Sequence, residues 1–341
     1  MTTVRDAILL VGGHGSRMHP LTETRPKHLL PVGGVALLDL QLRRLVEFGV
    51  RRVCLATAMH ADLFRAHVDA LDLGDLAVTI STEDSPLGTG GGLLRALDVL
   101  DPGNSPVAVL NGDLLTGHDL ARQAASLRPQ DDVALHVRPA EDPTPFGSVD
   151  TAGDGATVIG FREKVPGPAG TLVNAGTYII RAGVLANVPR DTELSWERDL
   201  LPTLIESGAR VRAHRQDAWF ADIGSPAALV AANTAVLDGT ASSALPHDYD
   251  PRSAIASDVV IARGAEVRGS GLDHGCRLGP DARVIDSVLL PHVIIGSGAK
   301  VRRTVLGEGV VVGDGAVING CAVADGTVLR AGSVHDGSRI G

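Results

Sequence analysis

Gly12, Gly13, His14, Gly15, Ser16 and Arg17 follow a short apolar run, and Pro20, Pro26 and Lys27 come soon after. Closely spaced glycines let backbone N–H groups approach and cradle phosphate oxygens, where side chains would otherwise intrude. Arg17 and Lys27 add two cations to the same loop, the second stiffened by the proline before it. Fixed cations beside such a nest suit a triphosphate, because they stabilise charge as it builds on a leaving pyrophosphate. Two common phosphate loops are excluded. No Gly-Lys-Ser/Thr tripeptide occurs, so there is no P-loop. The dinucleotide fingerprint would need a third glycine where Met18 stands, and Pro20 would disturb the helix that should follow.

Two aspartates extend this chemistry. Asp113 follows the apolar run Val107–Asn111, at the C-terminal end of a strand, where open α/β sheets gather their ligands. Asp222 follows a second short apolar stretch. Taken singly, each reads as a cap or turn residue. Two carboxylates converging beside a triphosphate would repel one another without a hard cation between them, and Mg²⁺ suits one or two carboxylates with phosphate oxygens and water. His14 has no second histidine at ligand spacing and reads as a spacer.

The elements that position these residues fall into two grammars. From Val4 to about Leu237, β-rich runs alternate with amphipathic segments, which is α/β patterning with a mostly parallel sheet buried between helices. Strands are predicted at Ala7–Val11, Arg52–Ala56, Val78–Ser81, Val107–Asn111, Val133–Val137 and Gly176–Ile180, and helices at Leu37–Phe48, Thr89–Leu100 and Glu197–Ser207. Residues 239–253 read as a linker. Beyond it, aliphatic residues recur in three sets: Ile255, Leu272, Leu290, Leu306, Val323 and Ile340; Ile261, Leu278, Ile295, Val312 and Leu329; and Val267, Val284, Val301, Ile318 and Val334. A triangular solenoid explains three aliphatic corners per coil, each stacking on its equivalent in the next. The predicted division is 1–238 catalytic, 239–253 linker and 254–341 solenoid.

The chain has 341 residues, 44% of them hydrophobic, enough for a substantial core and two domains. Its apolar runs are too short to cross a bilayer, and its start lacks a basic region followed by a long apolar stretch, so neither a membrane nor export is expected. Cys54, Cys276 and Cys321 form no pair at motif spacing and are expected as free thiols in the cytoplasm. A net charge of −9 and 3% aromatic residues argue against nucleic acid.

The string VGGHGSRMHPLTETRPKHLLPVGG resembles the signature of the sugar nucleotidylyltransferases, GGxGTRLxPLTxxxPKxxxPV. Further matches follow in that family's order: EDSPLGTGGGL at 83–93, LNGD at 110–113, FGSV at 146–149, FREK at 161–164, NAG at 174–176 and ADIGSP at 221–226. The C-terminal pattern resembles the hexapeptide repeat of left-handed parallel β-helices. The resemblance implies a Rossmann-like α/β nucleotidyltransferase domain followed by that β-helix. It implies a nucleotide site at Leu10, Gly12, Gly13, Gly15, Ser16, Glu83, Pro86, Gly88 and Asn111, with Gly12, Gly13, Ser16 and Arg17 on the triphosphate. It places Gly147, Glu163 and Asn174 against the sugar, Lys164 on the sugar's phosphate, and Mg²⁺ on Asp113 and Asp222, with Arg17, Lys27 and Lys164 catalytic.

The LLVGG opening and PLGTGG with NGD resemble the bacterial GDP-mannose pyrophosphorylase branch, which implies GTP and mannose 1-phosphate as substrates. The same branch takes heptose and cyclitol phosphates such as valienol 1-phosphate, and another NTP stays open. Two other classes are weighed. A β-helix acyltransferase would use a histidine such as His274, His292 or His335, and no inserted loop suggests a coenzyme A lid. A non-catalytic regulatory subunit would be expected to lose the charged residues that are all present here. The β-helix is expected to serve assembly into a homo-oligomer. One departure bears on the pocket wall: the family's tryptophan two residues before its second metal aspartate is replaced by Phe220, with Trp219 one position earlier.

Overall fold

The computed structural model describes residues 3–83, 86–190 and 192–341. They form two compact units, each assembled from separate stretches of chain. One comprises Met1–Gly13, Leu42–Leu114 and His118–Ala218, the other His14–Gln41, Leu115–Gly117 and Trp219–Gly341.

The first unit is built on a 9-stranded sheet. Its strands are β1 (Asp6–Leu10), β2 (Arg52–Thr57), β3 (Ala77–Thr82), β4 (Pro106–Asn111), β5 (Val133–Ala140), β6 (Gly147–Thr151), β7 (Val158–Glu163), β8 (Thr171–Arg181) and β9 (Val211–Arg215). The order is β7-β6-β8-β4-β1-β2-β3, with β5 pairing β8 and β9. The run β4-β1-β2-β3 is parallel, as the near-continuous apolar strands predict. Beyond β4 the pairing is mixed: β8 runs antiparallel to β4 and β5, a hairpin supplies β6 and β7, and β9 runs parallel to β5. Leu93, Leu94 and Leu97 of the helix Gly88–Leu100, with Trp196 and Leu201, join Ile8, Val109 and Tyr178 in one core. The helix predicted from Glu197 is a π-helical turn, Trp196–Leu200, that continues as the α-helix Leu201–Glu206.

The second unit ends in a parallel β-helix of three 5-stranded sheets. Equivalent residues lie 17 apart along the chain. The structure corrects the predicted columns at two places. Leu289, not Leu290, stacks between Leu272 and Leu306. Residues 288–290 are all aliphatic, so spacing alone could not choose; Leu289 enters the solenoid core while Leu290 packs outside it. In the last coil, His335 rather than Val334 pairs with Ile318, and Val334 is 72% exposed.

The outer face of the solenoid is also apolar where Val288, Val305 and Ala322 pack with Met18, Leu21, Leu30 and Leu229. The helix Pro226–Leu237 starts in that cluster, with Ser225 Oγ accepting from the Ala228 N–H and Pro226 in the first turn. The predicted linker is packed: Ala241 and Ala244 are buried, and Tyr249 OH donates to Gly33 O at 2.9 Å. Cys54, Cys276 and Cys321 are buried free thiols, as expected. No described helix is long and apolar enough to cross a membrane.

Candidate active site

The first unit gathers its polar residues at the C-terminal ends of β1 and β4. Leu10 and Asn111 are register partners there, and the Gly112 N–H donates to Leu10 O at 3.0 Å, which sets the half-buried Asp113 just past the strand. Glu197, which the sequence placed only at a helix start, is the hub. Its Oε1 accepts from Asn111 Nδ2 at 3.3 Å, Asn174 Nδ2 at 2.9 Å and Tyr178 OH at 3.1 Å. Burial raises the Glu197 carboxyl above its ordinary pKa, and the nearby charge of Glu163 and, more weakly, of Asp113 pushes the same way against the hydrogen bonds from Asn111 and Tyr178. Asn174 Oδ1 accepts the Gly176 N–H at 2.9 Å, so both ends of the Asn174 amide are engaged within the protein. Its sugar-facing role by resemblance is thus matched by an observed role as a strut.

On the hairpin, Gly147 and Glu163 stand directly opposite one another. A Cβ at residue 147 would lie 2.9 Å from Glu163 Oε2 and nearer still to the Phe161 ring, so only glycine leaves this space. Glu163 Oε2 is buried and has no hydrogen-bond partner among the described residues. Such an oxygen is costly unless a hydroxyl completes it. Glu163 Oε1 lies 3.4 Å from Lys164 Nζ, and the Lys164 side chain is 66% exposed. Lys164 has left-handed backbone, φ 54°, with its N–H donating to Phe146 O at 3.0 Å.

The residues that the resemblance assigns to the nucleotide's base side lie around the start of the helix Gly88–Leu100. Glu83 Oε2 accepts the Leu87 N–H at 2.6 Å, and Pro86 and Gly88 are exposed beside it. Asp84 and Ser85 of that motif lie outside the described residues. The Trp196 N–H donates to Thr89 Oγ1 at 2.9 Å and the Gly90 N–H to Leu194 O at 2.7 Å, which ties this helix start to the turn that carries Glu197.

Gly12 and Gly13 belong to the first unit; the rest of the glycine-rich loop belongs to the second. Gly15 has φ 63° and its carbonyl accepts from Thr22 Oγ1 at 2.9 Å, which closes the loop on itself. A 3-10 turn over Ser16–Met18 buries Met18 and leaves Ser16 and Arg17 exposed. Lys27 opens a second such turn, Lys27–Leu29, and is half-buried. Asp222 ends the short strand Phe220–Asp222. A Cβ on Gly224 would stand 2.5 Å from Arg17 Nη2 and 3.0 Å from Asp222 Oδ1, so cation and carboxylate both border the same bare Cα. Trp219 and Ala221 pack into the apolar cluster of this unit, so strand alternation turns Phe220 to the face of Asp222. The tryptophan shifted by one position packs, partly buried, against that apolar cluster, and Phe220 takes the side of the strand that carries Asp222.

Among the described residues no three His, Cys, Asp or Glu side chains form a cage for a metal. The candidate donors Asp113 and Asp222 are hard carboxylates, one in each unit. Each is the donor type of a hard divalent cation that draws other ligands from phosphate and water, and not that of a structural zinc.

A family model described as nucleotidyl transferase matches residues 6–239, and one described as GlmU-like, C-terminal hexapeptide matches residues 247–338. A mannose-1-phosphate guanylyltransferase of Mycobacterium tuberculosis is 32% identical over 86% of this chain and 82% of its own length. A putative mannose-1-phosphate guanyltransferase of Sulfolobus acidocaldarius is 33% identical over 64% of this chain and 60% of its own length. The crystal structure of HddC from Yersinia pseudotuberculosis complexed with GMP-PN superposes with a TM-score of 0.58 at 29% identity, covering 67% of this chain and 98% of that one. The chain is therefore a nucleotidyltransferase, a member of the nucleotidyl transferase family in which the catalytic part is followed by a hexapeptide-repeat β-helix.

Proposed function

We propose that the protein transfers GMP from GTP to mannose 1-phosphate and releases pyrophosphate. The observation that carries the reading is that the Arg17 guanidinium and the Asp222 carboxylate both border the bare Cα of Gly224, a cation and a hard oxygen donor at one place, as a cation-bound triphosphate requires. The guanylyltransferase names of the relatives and the guanine nucleotide in the Yersinia complex support GTP and mannose.

A sugar phosphate has a second pKa near about 6 and is mostly the dianion at neutral pH, so it attacks the α-phosphorus without a protein nucleophile. The protein's task is to hold two anions in line. Lys164 neutralises the attacking phosphate, and Glu163 Oε2, buried and unsatisfied, accepts from a sugar hydroxyl. Gly12, Gly13, Gly15 and Ser16 cradle the triphosphate while Arg17 and Lys27 meet the charge that grows on pyrophosphate. Asp113 and Asp222 would hold Mg²⁺, which when bound supplies further charge neutralisation on the nucleotide phosphates. Residues 1–238 carry this chemistry, and the buried thiols agree with work in the cytoplasm.

The test is pyrophosphate release with GTP, ATP, UTP and dTTP, each crossed with mannose 1-phosphate, a heptose 1-phosphate and valienol 1-phosphate. GTP with mannose 1-phosphate is expected to give the highest kcat/KM; a better pair would reassign the substrate, and silence in all arms would end the proposal. Lys27→Ala and Asp113→Ala are each expected to lower turnover by about 10²-fold or more, the scale of a lost charge-stabilising group.

A further inference from the structure

We propose that the β-helix holds the phosphate loop in its working shape, through Arg25, Asp325 and Arg339 as positioning residues. The inference rests on the reading of residues 12–27 as the triphosphate loop. Arg25 Nη2 lies 2.6 Å from Asp325 Oδ2 and 3.0 Å from Glu308 Oε2, carboxylates of consecutive coils. Thr24 Oγ1 donates to the same Asp325 oxygen at 2.7 Å. The other oxygen, Oδ1, accepts the Glu308 N–H at 2.8 Å, so Asp325 joins coil to coil with one oxygen and coil to loop with the other. In the last coil, Arg339 Nη2 donates to the backbone carbonyl of Arg17 at 2.9 Å. Arg17 is thereby held at its main chain by the β-helix, while its side chain borders Gly224, as does that of Asp222. Between these anchors, Met18 and Leu21 are buried in the cluster that includes Val288, Val305 and Ala322, one residue from each of three successive coils.

An isolated exposed ion pair does little for stability. This one is partly shielded, with the Arg25 side chain 19% and Asp325 27% exposed, and it ties down residues 24–25 of a loop with little regular structure of its own, while Arg339 holds the loop again at Arg17. The solenoid keeps a separate aliphatic core, which the loss of a surface pair leaves intact. The consequence of losing the pair therefore falls on where the loop's cations stand. A displacement of about 1 Å in a positioned group costs on the order of 10²-fold in rate.

Arg25→Ala, Arg25→Lys and Asp325→Asn would be compared in the full chain. Asp325→Asn keeps an oxygen for the Glu308 N–H and removes the charge that Arg25 meets. Kinetics would be run with nucleotide and sugar phosphate varied separately, with GTP·Mg²⁺ affinity measured by calorimetry in the absence of sugar phosphate, and with the unfolding midpoint recorded. Arg25→Ala and Asp325→Asn are expected to raise both the KM and the Kd for nucleotide by about 10-fold or more. The KM for sugar phosphate and the unfolding midpoint stay close to wild type, and Arg25→Lys, which keeps the charge, recovers most of the loss. Nucleotide KM and Kd at wild-type values in both variants, or both substrates' KM values rising together with a fallen midpoint, would overturn the inference. Failure of the functional reading is distinct, because wild type itself would then release no pyrophosphate.

Discussion

At the scale of single residues, Glu197 shows what the sequence left hidden. The charged residues Arg17, Lys27, Asp113, Glu163, Lys164 and Asp222 could be named from strings of fixed order. Glu197 could not, because its importance comes from burial at strand ends where Asn111, Asn174 and Tyr178 converge on one oxygen. In the sequence it is only an acidic residue in the first turn of a helix, which dipole arguments explain fully. Removing it takes one acceptor from Asn111, Asn174 and Tyr178; Asn174 Nδ2 still donates to Tyr178 OH at 2.7 Å, but the fully buried Tyr178 hydroxyl loses its acceptor, and each donor left unsatisfied costs about 1–3 kcal/mol. Glu197→Ala is therefore expected to destabilise the fold by about 3 kcal/mol or more in urea unfolding, whereas Glu197→Gln, which keeps an acceptor oxygen, loses far less. Equal losses in the two variants would show that Oε1 is not the hub.

At the scale of elements, the sequence was legible where pattern and packing agree. The helix Leu37–Phe48 was found to the residue, and the parallel strands to within one or two. β8 was longer than expected, Thr171–Arg181, because the register shift between Asn174 and Tyr178 interrupts the pattern that would have extended it. Leu290 and Val334 were misassigned because an aliphatic column is defined by stacking, which neighbours of like character obscure.

β5 carries a feature that no pattern announced. His136 stacks on His118 with ring centroids 4.0 Å apart, and its Nε2 lies 3.0 Å from Gln216 O. Burial lowers its pKa to about 4, with His214 and Arg138 adding repulsion against the hydrogen bond to Gln216. His118 is pushed well below its ordinary value by burial and by His136. A histidine depressed in the native state protonates first in the unfolded chain, so stability is full above about pH 6.5 and falls as pH drops towards 4. For His136 alone the loss is about 3 kcal/mol by linkage. Urea midpoints measured from pH 7 to pH 4 should fall steeply for wild type and less steeply for His136→Gln; parallel profiles would mean that His136 does not set the slope.

At the scale of the whole molecule, the change of grammar along the chain and the packing of the chain divide it differently. Composition changes near residues 238 and 253, which makes residues 1–253 look like a catalytic domain with its linker. In the structure, His14–Gln41 pack in the same unit as Trp219–Gly341, and Met18, Leu21, Leu30 and Leu229 share an apolar cluster with Val288, Val305 and Ala322 of the solenoid. No local signal marks such a contact, since Met18 and Leu21 read equally well as the buried side of any loop. A chain ended after Ser253 would uncover that cluster, and contiguous apolar surface of this kind drives association. The truncated chain is thus expected to self-associate in sedimentation, to lose hydrogen-exchange protection across residues 14–32 while β1, β2 and β4 keep theirs, and to bind GTP more weakly than the full chain. A monomeric truncation with a protected loop and unchanged GTP affinity would mean that residues 1–253 form a self-sufficient catalytic domain and that the β-helix contributes nothing to the loop it touches.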